Sequence, residues 1–224
     1  MKTHETQDGS KTLLNAELNV HYHSVHGAWN ETRHVFGTMG VDEAMSRTSE
    51  GDLQVLEIGF GTGLNVLDVW LRAKEAQRRV VMVSLEPNPL QWVDVAPLGY
   101  SEWTGVPLEV WQGMHEQGRW DDEFLSFERF SEGLFEFELE EQRFDVVLFD
   151  AFAPAAQPEL WTSKGMCNTE GAMPFHRPKS TPRSEGRTIH LKNMLSRFAA
   201  EPLAGFATCF LLLVATPFSA MKAW

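Results

Sequence analysis

The sequence predicts an α/β fold with a mostly parallel sheet. Three short apolar runs have the character of strands buried on both faces, and a stretch of helical periodicity follows the first of them. Each run ends in a glycine, an acid or a proline, as expected where a strand passes into a loop. With 224 residues, 43% of them hydrophobic, the chain is long enough to bury a core without a metal or disulfide.

The elements follow in order. Residues 53–59 (LQVLEIG) predict the first strand, and residues 63–79 predict a helix because leucine and valine recur at helical spacing. Residues 80–89 (VVMVSLEPNP) predict a second strand and residues 143–154 (RFDVVLFDAFAP) a third. This alternation indicates parallel pairing. The remaining parts of the core, a weaker apolar stretch (VPLEVWQG) and an acidic-aromatic segment (residues 123–142), receive no element type.

An acid lies near the end of each predicted strand: Glu57, Glu86 and Asp150. Ligands of parallel sheets bind beyond the carboxyl ends of the strands. We therefore expect the three acids to meet at one site.

Charge and cysteine content narrow the classes of function. A net charge of −12 argues against general nucleic-acid binding, which depends on neutralising phosphates, but leaves room for a local basic patch. Cys167 and Cys209 are the only cysteines and favour a reduced, cytoplasmic setting. The polar N-terminus has no signal-like apolar core, and the longest apolar run, 206–218, is too short for a membrane helix.

Gly59, Gly61 and Gly63 follow the first strand with the spacing G-x-G-x-G. A dinucleotide fingerprint needs its third glycine where this chain has Leu64, and the lysine of a P-loop is absent. A ligand that approaches the backbone without a phosphate suits the loop better, and S-adenosylmethionine (SAM) is such a ligand. The alternative is a tight turn that binds nothing.

Two acids favour SAM over a turn without a ligand. Glu86 lies 23 residues after Gly63, where a doubly wound fold places the acid that accepts both ribose hydroxyls. Glu57 is predicted to lie near the ammonium group of the methionine end, which would extend across the glycines.

The segment 149–154 (FDAFAP) predicts the acceptor side. Methyl transfer to an amine needs an unprotonated nitrogen in line with the breaking C–S bond, so the protein must orient the lone pair and exclude water. Asp150 is predicted to accept a hydrogen bond from the amine, or its proton. The alternative is an ordinary Asp turn at a strand end.

These motifs resemble the MnmC-type tRNA methyltransferase domain, which makes 5-methylaminomethyl-2-thiouridine at the wobble position. The matching stretches lie between about residues 8 and 162 and include DGSKTL, LNVHYHSVHGAWNETRHVFG, LEIGFGTGLN, HEQGRW and VVLFDAFAPAAQPELWT. The resemblance implies a class I SAM-dependent (Rossmann-like) fold and methylation of the exocyclic amine of 5-aminomethyl-2-thiouridine in tRNA. Because the chain is too short for an attached flavin domain, we expect a separate oxidoreductase or other upstream enzyme to supply the aminomethyl substrate.

The resemblance also implies roles for individual residues. Those implied to line the cofactor are Gly59, Gly61, Gly63 and Glu86, and those implied to face the amine are Asp150, Phe152 and Pro154. Glu132 falls near the position of the family's adenine-side acid. The residues that match a segment closing over the cofactor are Tyr22, Ser24, Gly27 and Glu31.

The same N-terminal segment holds four histidines: His21, His23, His26 and His34. A metal site would need an accompanying cysteine or carboxylate pattern, which the sequence lacks. We interpret them as polar residues of the closing segment and expect no metal.

The pattern changes after residue 162. Residues 163–224 carry a net charge of +5 and residues 1–162 carry −17, and the family's later motifs are no longer legible. One interpretation is a divergent but folded tail in which TCFLLLVAT replaces a strand. The favoured interpretation is that the tail is out of frame or spliced from unrelated sequence, and a disordered tail is a further alternative. We therefore divide the chain into a cap segment (1–50), a SAM-binding core (51–162) and an atypical tail (163–224).

Two other functions stay open. One is a SAM-dependent methyltransferase for a small amine or a protein, which the acidic composition fits. The other is a degenerate SAM-binding protein without catalysis.

Overall fold

The computed structural model describes residues 1–48, 51–137 and 144–162 and the backbone of the strand 211–214, all within one unit of the chain. The described strands are β1 (Lys2–Glu5), β2 (Lys11–Asn15), β3 (Val20–His21), β4 (Leu53–Ile58), β5 (Val80–Leu85), β6 (Arg119–Asp121), β7 (Leu125–Phe130), β8 (Val146–Phe149) and β9 (Leu211–Val214). The described helices are α1 (Ala28–Glu31), a π-helical segment (Thr32–Asp42), α2 (Glu43–Arg47), α3 (Leu64–Ala76), α4 (Trp92–Val95), a 3-10 turn (Ala96–Leu98), α5 (Tyr100–Thr104), α6 (Leu108–Gln117) and a second 3-10 turn (Pro158–Trp161).

The central sheet has the strand order β6-β7-β5-β4-β8-β9. Its four inner strands run parallel, and an antiparallel strand closes each edge of the described sheet. The predicted α/β fold with a mostly parallel sheet is therefore confirmed. Ile58, the last residue of β4, pairs with Leu85 of β5 and with Phe149 of β8. The three predicted strands thus end side by side, and this common edge carries the acids.

Burial explains why β4 and β8 read as continuous apolar runs. All residues of β8 are buried, and Gln54 is the one residue of β4 that keeps partial exposure. α3 follows β4 and contacts β5, and most of its residues are buried, including Leu64 and Leu67. None of the described helices has the length and apolar character needed to span a membrane.

Two elements of the described core lie where the sequence predicted no type. β7 occupies the acidic-aromatic segment and alternates buried Leu125 and Phe127 with more exposed neighbours. α6 occupies the weaker apolar stretch and buries Val110, Trp111 and Met114. Aromatic residues and glutamates dominate the first segment, so its period of two is hard to recognise by composition alone.

In the predicted tail, β9 forms the antiparallel edge beside β8, with Leu211 opposite Phe149. These four residues lie inside TCFLLLVAT, the stretch that the folded-tail interpretation assigned to a replacement strand. The rest of residues 163–224 lies outside the described residues. The interpretation that the tail is out of frame stays a prediction.

The π-helical segment is tied to α3 by a buried ion network. Arg72 donates to Asp68 (Nε to Oδ2, 2.6 Å), to Asp42 and to the carbonyl oxygen of Arg33 (2.8 Å). A Cβ at Gly37 would lie 2.1 Å from Arg72 Nη2 and 2.2 Å from Asp68 Oδ2. Only glycine lets the segment approach α3 this closely.

We expect Arg72→Ala to lower the free energy of unfolding by about 3–5 kcal/mol, because Asp68 would keep a buried charge without its main partner. Urea unfolding measures the loss. Glu75→Ala, an exposed change on the same helix, should cost less than about 0.5 kcal/mol. Adding Asp68→Asn to Arg72→Ala should restore part of the loss, and equal stability of the single and double variants would contradict this account.

Candidate cofactor and amine site

The glycine loop and the Asp150 turn touch through their backbones. The Asp150 N–H donates to the carbonyl oxygen of Ile58 (2.8 Å), which extends the β4–β8 pairing by one bond. Gly59 has φ +95°, and a Cβ there would lie 2.4 Å from the carbonyl oxygen of Asp150. The absence of a side chain at Gly59 therefore brings the predicted cofactor loop against the predicted amine turn.

Glu86 fixes the middle of the loop. Its Oε2 accepts the N–H of Gly61 (3.1 Å), and its Oε1 accepts the N–H of Asn88 (3.0 Å). A carboxylate offers about four lone-pair sites, so each oxygen can still accept a hydroxyl group. The carboxylate is partly exposed at the shared edge of the strands. The role of Glu86 as the acid for the ribose hydroxyls stays a prediction.

Glu57 lies behind the loop and has no exposed surface. Its Oε2 accepts the hydroxyl of Ser84 (2.6 Å), and its Oε1 accepts the amide of Asn65 (3.2 Å). Burial raises the pKa of Glu57 to about 7. The sequence prediction placed this carboxyl near a ligand ammonium group, whereas in the described structure its neighbours are protein donors and it reaches the site through Asn65.

Asn65 links three parts of the site. Its Nδ2 donates to Glu57 and also to Asp150 Oδ2 (2.8 Å), and its Oδ1 accepts the hydroxyl of Thr32 (3.1 Å). Asn65 has no role among the residues that the sequence predicts for the site, although it is the last residue of the GFGTGLN motif. The motif itself was the available signal.

Asp150 is partly exposed at the end of β8. Burial raises the pKa of Asp150 well above its ordinary value, and the charges of Glu57, Glu31 and Glu86 raise it further. Four carboxyl groups thus lie close enough to influence one another. Such a cluster favours a cationic ligand, because an opposite charge lowers the cost of ionising each acid.

The turn after Asp150 is held by its own side chains. The Phe152 N–H donates to Gln157 Oε1 (2.9 Å), and the Phe152 carbonyl accepts from Trp161 Nε1 (2.8 Å). The Phe152 ring meets the Tyr22 ring edge to face at 5.0 Å. Pro154 is exposed beside it. Phe152 and Pro154, which are both predicted to face the amine, therefore belong to one turn that follows Asp150.

The predicted closing segment reaches the same place. Tyr22 lies over the loop, with its Cδ1 3.3 Å from where a Cβ at Gly61 would be. Glu31 Oε2 accepts the N–H of Ser24 (2.9 Å), and burial raises the pKa of Glu31 to about 7. His23 Nε2 lies 2.6 Å from the hydroxyl of Thr62 inside the loop.

The remaining predicted residues take less central positions. Gly63 has φ +78° and caps the N-terminus of α3. Gly27 has φ +153° and precedes α1. Glu132 is exposed two residues after β7, next to the strand that carries Glu86. In the described parts of the chain, no group of three or more histidine, cysteine or acidic side chains is arranged to hold a metal.

Helix α6 contacts the loop at Thr62. The sequence did not predict this support, because no element type was assigned to that stretch. The carbonyl oxygen of Thr62 accepts the indole N–H of Trp111 (3.0 Å) and lies 3.0 Å from His115 Nε2. The guanidinium of Arg129 lies over the ring of Phe60 at 5.1 Å. These contacts hold Thr62 and Phe60 of the loop against α6 and β7.

We expect Gly59→Ala to cost about 1–3 kcal/mol more stability than Gly51→Ala. Both glycines have positive φ, so both substitutions strain the backbone, but nothing lies within 4 Å of a Cβ at Gly51. The difference therefore isolates the collision with the Asp150 carbonyl. Urea unfolding of the two variants tests this, and equal losses would contradict it.

Glu57→Gln should gain stability relative to the parent chain as the pH rises. The ordinary pKa of Glu57 is 4.5 and the folded value is about 7, so the folded chain favours the protonated acid. The parent loses that stability as the pH rises from 4.5 through 7, whereas glutamine does not. We expect a relative gain of up to about 3 kcal/mol between pH 4.5 and pH 8 in urea unfolding. Glu75→Gln on the exposed face of α3 should show no such trend.

Known proteins that are similar to this chain carry the name MnmC. No protein-family model matches the chain. It is 32% identical over 164 residues to the tRNA 5-methylaminomethyl-2-thiouridine biosynthesis bifunctional protein MnmC of Pseudomonas aeruginosa, covering 63% of this chain and 24% of that protein. It is 27% identical over 206 residues to the protein of the same name from Leptospira borgpetersenii, covering 83% and 30%.

Among solved structures, MnmC2 from Aquifex aeolicus superposes with a TM-score of 0.59 at 24% identity, covering 77% of this chain and 56% of that one. This likeness shows a shared fold and confirms the predicted α/β, Rossmann-like fold class. The chain spans about a quarter to a third of the length of its curated relatives. The resemblance to MnmC proteins that the sequence motifs predict is thereby confirmed.

Proposed function

We propose that this chain is a SAM-dependent N-methyltransferase that converts 5-aminomethyl-2-thiouridine to 5-methylaminomethyl-2-thiouridine at the wobble position of tRNA. The observation that carries the proposal is the contact between the Glu86-anchored glycine loop and the acidic Asp150 turn. A cofactor on the first and an amine on the second would lie side by side.

The residues present fit SAM. Gly61 has no side chain between the loop backbone and the Tyr22 ring, and Glu86 keeps acceptor capacity for two hydroxyl groups. The surrounding acids suit a ligand that carries a sulfonium and an ammonium group. When bound, SAM supplies an electrophilic methyl group. We assign Gly59, Gly61 and Gly63 to its methionine end, Glu86 to its ribose and Glu132 to the adenine side.

Asp150 is assigned to the amine. An aminomethyl group is mostly protonated at neutral pH, so it must lose a proton before its lone pair can attack. A carboxyl group with a raised pKa accepts that proton more readily than an ordinary aspartate does. Phe152 and Tyr22 close the turn with aromatic surface, which helps to exclude water.

The choice of tRNA rests on the relatives, whose names specify tRNA 5-methylaminomethyl-2-thiouridine biosynthesis. By this proposal an upstream enzyme or separate oxidoreductase supplies the aminomethyl nucleoside, and the chain works in the cytoplasm. Residues 1–50 serve as the closing cap and 51–162 as the cofactor core. A small-amine or protein methyltransferase is the second candidate, because −12 net charge opposes polyanion binding.

Radiolabelled SAM distinguishes these candidates. The purified chain is incubated separately with tRNA that carries 5-aminomethyl-2-thiouridine, with bulk protein and with small amines. The tRNA is then digested to nucleosides, and the label in each nucleoside is measured. Label in 5-methylaminomethyl-2-thiouridine supports the proposal. Label confined to proteins or small amines would favour the second candidate, and SAM binding without any transfer would favour a non-catalytic binding protein.

We expect Asp150→Ala to lower the methyl-transfer rate by about 100-fold or more, because it removes the amine's acceptor. In this variant the SAM affinity, measured by calorimetry, should change less than about three-fold. Gly61→Val should abolish both SAM binding and methyl transfer, because the valine side chain would enter the loop. Glu123→Ala, an exposed change in the β6–β7 turn, is the control. Normal turnover by Asp150→Ala would refute the assignment of the amine site.

A further inference from the structure

Asn65 lies in the first turn of α3 and is 3% exposed. All of its amide groups are engaged at the candidate site. Both N–H groups of Nδ2 are directed at carboxyl oxygens, Asp150 Oδ2 at 2.8 Å and Glu57 Oε1 at 3.2 Å, and Oδ1 accepts from Thr32. The two acids require the nitrogen on their side, which leaves the oxygen for the hydroxyl. The orientation of the amide is therefore determined by its neighbours.

This arrangement solves a problem that the sheet creates. Glu57 and Asp150 come from the ends of adjacent parallel strands and face the same space between sheet and helix. Two carboxyl groups so placed either repel each other or share a proton. A planar amide with two donors gives each acid its own hydrogen bond and keeps them separate.

We propose that Asn65 is a positioning residue for the acceptor Asp150. Its amide holds Oδ2, so that Oδ1 is the oxygen presented to the substrate amine, and it separates Asp150 from Glu57. The inference rests on the proposed function and deepens it, because it assigns the acceptor geometry to a residue that does not itself touch substrate.

Three charged groups act on Asp150, each from a different part of the fold. Glu57 belongs to β4, Glu31 to α1 and Glu86 to the loop after β5, and each of them raises the pKa of Asp150. The Asn65 hydrogen bond acts in the opposite direction and lowers that pKa. Removal of the amide should therefore leave Asp150 protonated to a higher pH.

The test uses the full chain carrying Asn65→Ala or Asn65→Asp. Asn19→Asp makes the same chemical change in an exposed turn between β2 and β3 and is the control. Thr32→Val removes only the hydroxyl that fixes the amide oxygen, so it probes the same network with a smaller change. The carboxyl carbons of Asp150 and Glu57 are titrated by NMR on labelled protein, and methyl transfer, SAM affinity and thermal midpoint are measured in parallel.

For Asn65→Ala we expect the titration midpoint of Asp150 to rise by about one pH unit. The acid limb of the pH–rate profile should move upward by the same amount, with at least a ten-fold loss of rate at neutral pH and little change in SAM affinity. Asn65→Asp should shift the titration midpoints of both Asp150 and Glu57 by more than Asn65→Ala does, and Thr32→Val should shift them by less. The control should match the parent chain.

An unchanged Asp150 midpoint in all three variants would overturn the inference, as would a rate loss fully explained by weaker SAM binding or a lower thermal midpoint. If the parent chain transfers no methyl group, the proposed function fails by that result alone. The NMR titration still decides whether Asn65 sets the state of Asp150, so the two failures are distinguishable.

Discussion

The contact between Gly59 and the carbonyl oxygen of Asp150 is the constraint on which the rest of the site depends. β4 and β8 are neighbours and end at the same level, so the loop after one and the turn after the other compete for the same space. A Cβ at Gly59 would lie 2.4 Å from that oxygen. Glycine removes the conflict and lets backbone touch backbone. A donor bound on the loop and an acceptor bound on the turn need no motion of the sheet to meet.

Because the loop and the turn are so close, four acidic side chains lie near one another. Each of these acids accepts a hydrogen bond from its own donor. Glu57 has Ser84, Glu86 has the N–H of Gly61, Glu31 has the N–H of Ser24, and Asp150 has Asn65. Hydrogen bonds to the charged form oppose the effect of burial on a carboxyl pKa, but they do not cancel it here, since the pKa values of Glu57 and Glu31 rise to about 7. The site is thus poised for a cationic ligand.

Sequence reasoning was strongest where one local pattern determined the structure. Continuous apolar runs predicted β4, β5 and β8, and the position of each acid followed from the rule that parallel strands end together. It was weakest where the signal depended on tertiary contacts. β7 and α6 carry mixed aromatic and acidic residues, and tertiary contacts decide their conformation: β7 pairs between β5 and β6, and α6 packs against β6 and β7. The burial of Glu57 was likewise beyond local pattern, because it depends on the side chains of β5 and α3.

The N-terminal segment precedes the core in the sequence, but in the structure the two are in direct contact. Thr32 bonds to Asn65, His23 lies against Thr62, and Asp42 pairs with Arg72 of α3. Each partner belongs to the loop or helix that forms the candidate site. This segment does more than lie over the glycine loop, because it also bonds to Thr62, Asn65 and Arg72 of the loop and α3. In the proposed role of Asn65, the geometry of Asp150 depends on Thr32, which lies more than a hundred positions earlier in the chain and bonds to the Asn65 amide.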